Sequence, residues 1–134
     1  PMNHSEISKA IKEGIENSNN LELPDGFHLD VNMAGCLQLF AEINGTRCWI
    51  YATPFYEGAD GIALSVETAK AVGEDDTGPN VDVRDDVDAS HLEQIVKLSE
   101  ERGELNAADK HDLAYLWLDA VKPRAEGLKM VLGA

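Results

Sequence analysis

The sequence lacks any apolar run approaching the roughly 20 residues of a membrane-spanning helix. It also lacks a basic stretch leading into an apolar one, so neither a span nor a secretory signal is expected. Cysteine is scarce: Cys36 and Cys48 are the only two. Two are too few for a disulfide scaffold, and they lack the paired spacing of a zinc site. Reduced thiols and a cytoplasmic location are the expectation. Basic residues are the third shortage, with 11 Lys and Arg against 25 Asp and Glu, a formal net charge of −14. Direct binding of nucleic acid needs a cationic footprint that displaces counterions, and an anionic membrane surface asks for the same. Neither is an expected partner. Phosphate-cradling glycine loops and the Gly-x-Ser-x-Gly elbow are missing too. The sequence therefore nominates no catalytic residue, cofactor or metal, and the reading leans away from an enzyme.

What the chain does have is 43% hydrophobic residues in 134, enough for the core of one domain. One α+β domain over residues 2–134 is expected, with Pro1 ahead of Met2 set aside as a residue left by tag cleavage. Ser5 offers a cap to a first helix whose Ile7, Ala10, Ile11 and Ile15 share a face. Gly14 weakens that helix by about 1 kcal/mol relative to Ala. Phe27, Leu29, Val31 and Met33 alternate with polar residues, the period of a half-buried strand.

The strongest local signal is Asn44-Gly45, a type I′ turn between the runs 36–43 and 46–53. It sets a register in which Leu39 faces Ile50 and Ala41 faces Cys48 on one side. On the other side Phe40 faces Trp49, Gln38 faces Tyr51 and Glu42 faces Arg47. Cys36 and Cys48 fall on opposite faces, which argues against a disulfide. Another strand is expected over 62–66, with a short helix starting near Thr68.

Residues 74–88 read as an acidic loop, with at most a short strand at 81–83. Ser90 and Glu93 suggest a capping box for a helix that Gly103 stops. Asn106 caps a second helix bearing Leu113, Leu116, Trp117, Ala120 and Val121, and Pro123 ends it. The architecture expected is an N-terminal helix, an antiparallel meander of about four strands around the Asn-Gly hairpin, and a C-terminal helical hairpin packed on the sheet.

The charge is uneven. Residues 57–104 hold 14 acids against four basic residues, and seven of those acids are Glu74, Asp75, Asp76, Asp82, Asp85, Asp86 and Asp88. Carboxylates this dense repel one another, and a cationic partner would relieve the repulsion. These seven are the candidate partner-binding residues. A second candidate surface is the hairpin face with Phe40, Trp49, Tyr51 and Arg47, residue types enriched in interface hot spots. It would serve partner docking or a homodimer unless a helix covers it.

No start position in the acidic segment satisfies the spacing of a calcium-binding EF-hand loop. His91, the pair His111-Asp112 and Asp119 resemble the ligand set of metal-dependent phosphohydrolases of the HD type. That resemblance implies a divalent metal held between helices. An HD domain is all-helical, however, whereas this chain carries a marked hairpin. Three functions are thus in view. The first is a non-enzymatic acidic protein that docks on a basic protein or nucleic-acid-binding complex and inhibits it by charge mimicry, as phage or mobile-element inhibitors of defence systems do. The others are a dimeric secretion-type chaperone and a small metal-dependent hydrolase.

Overall fold

A computed structural model describes residues 1–71 and 80–133, with residues 80–82 described by their backbone. The chain runs α1 (His4–Glu16), β1 (His28–Val31), β2 (Leu37–Ile43), β3 (Thr46–Tyr51), β4 (Phe55–Tyr56), β5 (Ile62–Lys70), β6 (Asn80–Val87), α2 (Ser90–Arg102) and α3 (Ala107–Gly133). Each strand pairs antiparallel with its neighbour, in the order β1-β2-β3-β5-β6, while β4 pairs with the start of β5. The fold is α+β, with the helices packed on the sheet.

The Asn-Gly hairpin has the register its turn dictates, from Ile43 opposite Thr46 to Gln38 opposite Tyr51. Asn44 and Gly45 both take positive φ, 50° and 79°, which a type I′ turn requires. Period two then sorts the side chains. Leu37, Leu39, Ala41, Cys48, Ile50, Ala52, Leu64, Val66 and Thr68 all point to one side and are buried there. Ile7 and Ile11 of α1, Val96 of α2, and Leu113, Trp117, Leu118 and Val121 of α3 close over them. The Trp117 indole N–H donates to the Ala52 carbonyl at 2.8 Å, so the largest core side chain has its polar atom satisfied.

Several local readings are corrected. The cap of α1 is Asn3, whose side chain and Glu6 form a reciprocal capping box; Ser5 lies inside the helix. Ser90 and Glu93 do not cap α2. Asp88 accepts the Ser90 N–H instead, and Glu93 accepts the N–H of Ile62. Residues 68–70 continue β5 rather than starting a helix, because Thr68 extends the Ile62, Leu64, Val66 alternation into the core. Met33 falls in a turn held by the Asn32 side chain, which accepts from Ala34 and Cys36, so β1 stops at Val31. Among the described residues the sheet has six strands, β4 and β6 being those beyond the four expected. The acidic loop read over 74–88 is strand from residue 80 to 87, and its earlier part lies outside the described residues.

Pro123 does not end α3. A proline inside a helix removes one hydrogen bond and costs about 3 kcal/mol, yet α3 continues to Gly133. Val121, Ala125 and Leu128 lie on one helix face and are all buried, so the segment beyond the proline gains apolar burial that offsets the cost. The capping of α3 by Asn106 is as expected: Asn106 accepts the Asp109 N–H and Asp109 accepts that of Asn106. Gly103, in the left-handed conformation with φ 84°, ends α2.

Two close approaches set the helices in place. A Cβ on Gly14 would overlap the Lys110 carbonyl, so α1 and α3 cross at backbone contact. On the other flank, Tyr56 donates to Glu100, and the Glu93 carboxylate occupies the space that a side chain on Gly61 would need. Burial, then the bond to Glu100 and the charges of Glu100 and Glu93, push the Tyr56 hydroxyl up to about 12.

Gly14→Ala should lower the melting temperature, since overpacking at the crossing costs about 1–3 kcal/mol against about 1 kcal/mol gained in helix propensity. Thermal denaturation checks this, and a variant more stable than the parent would remove the crossing from the account. Tyr56 is raised in the folded state, so its contribution is fully present below pH 10, its ordinary value, and is lost as pH rises towards about 12. Tyr56→Phe should therefore flatten the fall of stability over that alkaline window, measured by urea titration against the parent.

Candidate docking surface

Because the helices pack on the Leu39/Ile50 side, no helix among the described residues lies over the opposite side of the sheet. Its residues fall in rows across the strands. One row runs His28, Phe40, Trp49 and Ala69; the next runs Asp30, Gln38, Tyr51, Glu67 and Arg84. Glu42 and Arg47 lie towards the hairpin tip, and Ser65 faces Asp86 towards the other end. The hairpin surface suggested by the sequence is thus uncovered: Phe40 and Phe55 are each 40% exposed, and Trp49 and Tyr51 are half-buried.

Aromatic and ionic groups interleave on this face. The His28 and Phe40 rings stack with centroids 5.2 Å apart. The Arg47 guanidinium lies over Trp49, 5.9 Å from the ring centroid, a cation–π arrangement. Arg84 sits between two carboxylates, with Nε 3.7 Å from Glu67 and 3.8 Å from Asp86. The Ser65 hydroxyl ties the group together, donating to Asp86 at 2.7 Å and accepting from Arg84 at 3.2 Å. Asp30 accepts from the Gln38 amide at 3.0 Å. A shallow cleft of about 380 Å³ opens beside Tyr51, Phe55, Glu67 and Arg84. Burial raises the Tyr51 hydroxyl above its ordinary value.

The acids singled out by the sequence do not act as one row. Glu74, Asp75 and Asp76 lie outside the described residues, and Asp82 is placed by its backbone in β6. Asp85 points to the helix side of the sheet, opposite Val66, and is ion-paired with Arg124 of α3. It is a structural partner rather than a free docking charge. Asp88 lies just ahead of α2, where the Ser90 N–H and hydroxyl hold its carboxyl below the usual range. Of the described members only Asp86 belongs to the uncovered face. Sequence reasoning missed Ser65, Glu67 and Arg84, because only the pairing of β3 with β5 and of β5 with β6 brings them beside Tyr51.

The residues of the HD resemblance are not assembled. His91 and Asp119 border one cleft at the start of α2, but His111 lies elsewhere, bonded to Asn20 and beside Asp112. Among the described residues no three His, Cys, Asp or Glu side chains converge on a point that would hold a metal ion. Cys48 is buried against the Ala41 carbonyl, where burial raises its thiol, and Cys36 lies at the margin of the open face. No described helix is long and apolar enough to cross a membrane. No protein-family model matches the chain, nor does any curated protein or solved structure.

Proposed function

We propose that the protein is a non-enzymatic binding protein that docks on a basic partner through the uncovered face of its sheet. The observation that supports this most is the combination on one surface of exposed aromatic rings with the carboxylates of Asp30, Glu42, Glu67 and Asp86, in a chain of net charge −14. Interface cores use aromatic and arginine side chains as anchors, and charge of one sign selects the opposite charge and accelerates encounter. A nucleic-acid-binding protein or complex is the natural partner, because its basic groove is built for a polyanion. The mechanism proposed is occupation of that groove, so that nucleic acid and this protein compete. The secretion-type chaperone reading gains nothing from the chain order, in which no α-helix lies between the strands among the described residues.

Immobilised protein should retain basic proteins from a nuclease-treated lysate at low ionic strength, and retention should fall as salt rises. Added DNA or RNA should release the retained partner. Retention indifferent to salt, or a partner that still holds nucleic acid while bound, would retire the proposal. The double variant Glu67→Gln with Asp86→Asn should bind less while keeping its stability within about 0.5 kcal/mol, as surface substitutions usually do.

A further inference from the structure

The face has a chemistry more specific than negative charge. It already carries two guanidinium groups of its own, Arg47 over the Trp49 ring and Arg84 between Glu67 and Asp86. Arg47 shows a mode in which arginine differs from lysine, a planar cation set over an aromatic face. Arg84 shows a guanidinium held between carboxylates, its Nε 3.7 Å from Glu67 and 3.8 Å from Asp86 and its Nη2 donating to Ser65. Around them are further rings and further acids. The aromatic row of Phe40 and Trp49 runs beside the polar row of Asp30, Tyr51 and Glu67. Adjacent rows on one sheet face are separated by about 7 Å, close to the repeat of alternate side chains in an extended peptide.

We propose that the open face binds an extended, arginine-rich segment of the partner, laid across the strands between the aromatic and carboxylate rows. Guanidinium groups of that segment stack on Phe40, Trp49 and Tyr51 and pair with Asp30, Glu67 and Asp86. This inference rests on the reading of the protein as a binder of basic partners and adds where the partner sits and which cation it presents. Charge favours such a segment over a second copy of this chain, since two copies would each bring a net charge of −14 to the contact.

The protein carries its own reporter. Trp49 lies on the face and Trp117 is wholly buried, bonded to Ala52. The probes are three synthetic peptides of equal length in which serine alternates with arginine, with lysine or with glutamate. At low ionic strength the arginine peptide should change the Trp emission saturably, and Trp49→Phe should abolish the change. The lysine peptide should bind at least about threefold more weakly, and the glutamate peptide should not bind. Calorimetry should show affinity for the arginine peptide falling about tenfold in Phe40→Ala and in Glu67→Gln with Asp86→Asn. A far-UV circular dichroism spectrum matching the parent's establishes that each variant is folded.

Equal affinity for arginine and lysine peptides, or binding untouched by the face variants, would overturn this inference while leaving the basic-partner reading in place. Failure of both cationic peptides to bind would overturn both. A dimer seen by light scattering and broken by Phe40→Ala would assign the face to a second copy and overturn the inference as well.

Discussion

The structure depends on a sheet that is apolar on one side only. In β2 and β3 Leu37, Leu39, Ala41, Cys48 and Ile50 alternate as buried apolar residues, and the residues between them are aromatic, polar or charged. Three helices converge on the apolar side because that is where burial stabilises them, at about 25 cal/mol per Å² of apolar surface removed from water. Nothing on the other side offers a helix the same return. The positions of α1 and α3 follow from this arrangement and from Gly14, which lets their backbones touch. Trp117 fastens the layers, since its ring fills the core and its N–H satisfies a carbonyl just beyond β3.

Strand β6 shows how an edge is tolerated in so acidic a chain. An edge strand presents unpaired backbone groups, and charged side chains are one protection against unwanted pairing. Here Arg84 and Asp86 point to the open side and Asp85 to the helix side. A carboxylate under the sheet edge would be costly alone, but Arg124 of α3 reaches it. The same contact lies one residue beyond Pro123, where α3 has lost a backbone hydrogen bond, so edge and helix support one another there.

The elements legible in the sequence were those that carry their own local information. Asn44-Gly45 fixes two strands and the side-chain register without reference to anything else, which is why the Phe40, Trp49 and Tyr51 surface could be assigned from the turn alone. Helix faces followed from their periodicity, and Gly103 and Asn106 from cap chemistry. What stayed hidden depended on tertiary partners. The alternation of β6 is broken by Asp85 beside Asp86, and only Arg124, 39 positions on, makes the first of them acceptable under the sheet. Glu93 looks like half of a capping box until β5 is present to donate the Ile62 N–H. Pro123 looks like a stop because local sequence does not reveal that Ala125 and Leu128 will be buried. The candidate surface divides in the same way, with its hairpin half readable and its Ser65, Glu67 and Arg84 half not.

Charge and open face bear on each other. A sheet face with Phe40 and Phe55 exposed would, on a neutral chain, favour collision with another copy and association through rings and strand edges. A net charge of −14 opposes that encounter before contact is made, and the opposition acts over about 10 Å at moderate ionic strength. The same field draws a cation inward. On the proposed reading, rings held apart from a second copy are left to a guanidinium, which the field attracts and which stacks on them at low cost because it is weakly hydrated. Repulsion between copies and the proposed selectivity for a cationic partner would therefore be one property, and the positions of Trp49, Glu67 and Asp86 on a single face would give it a location.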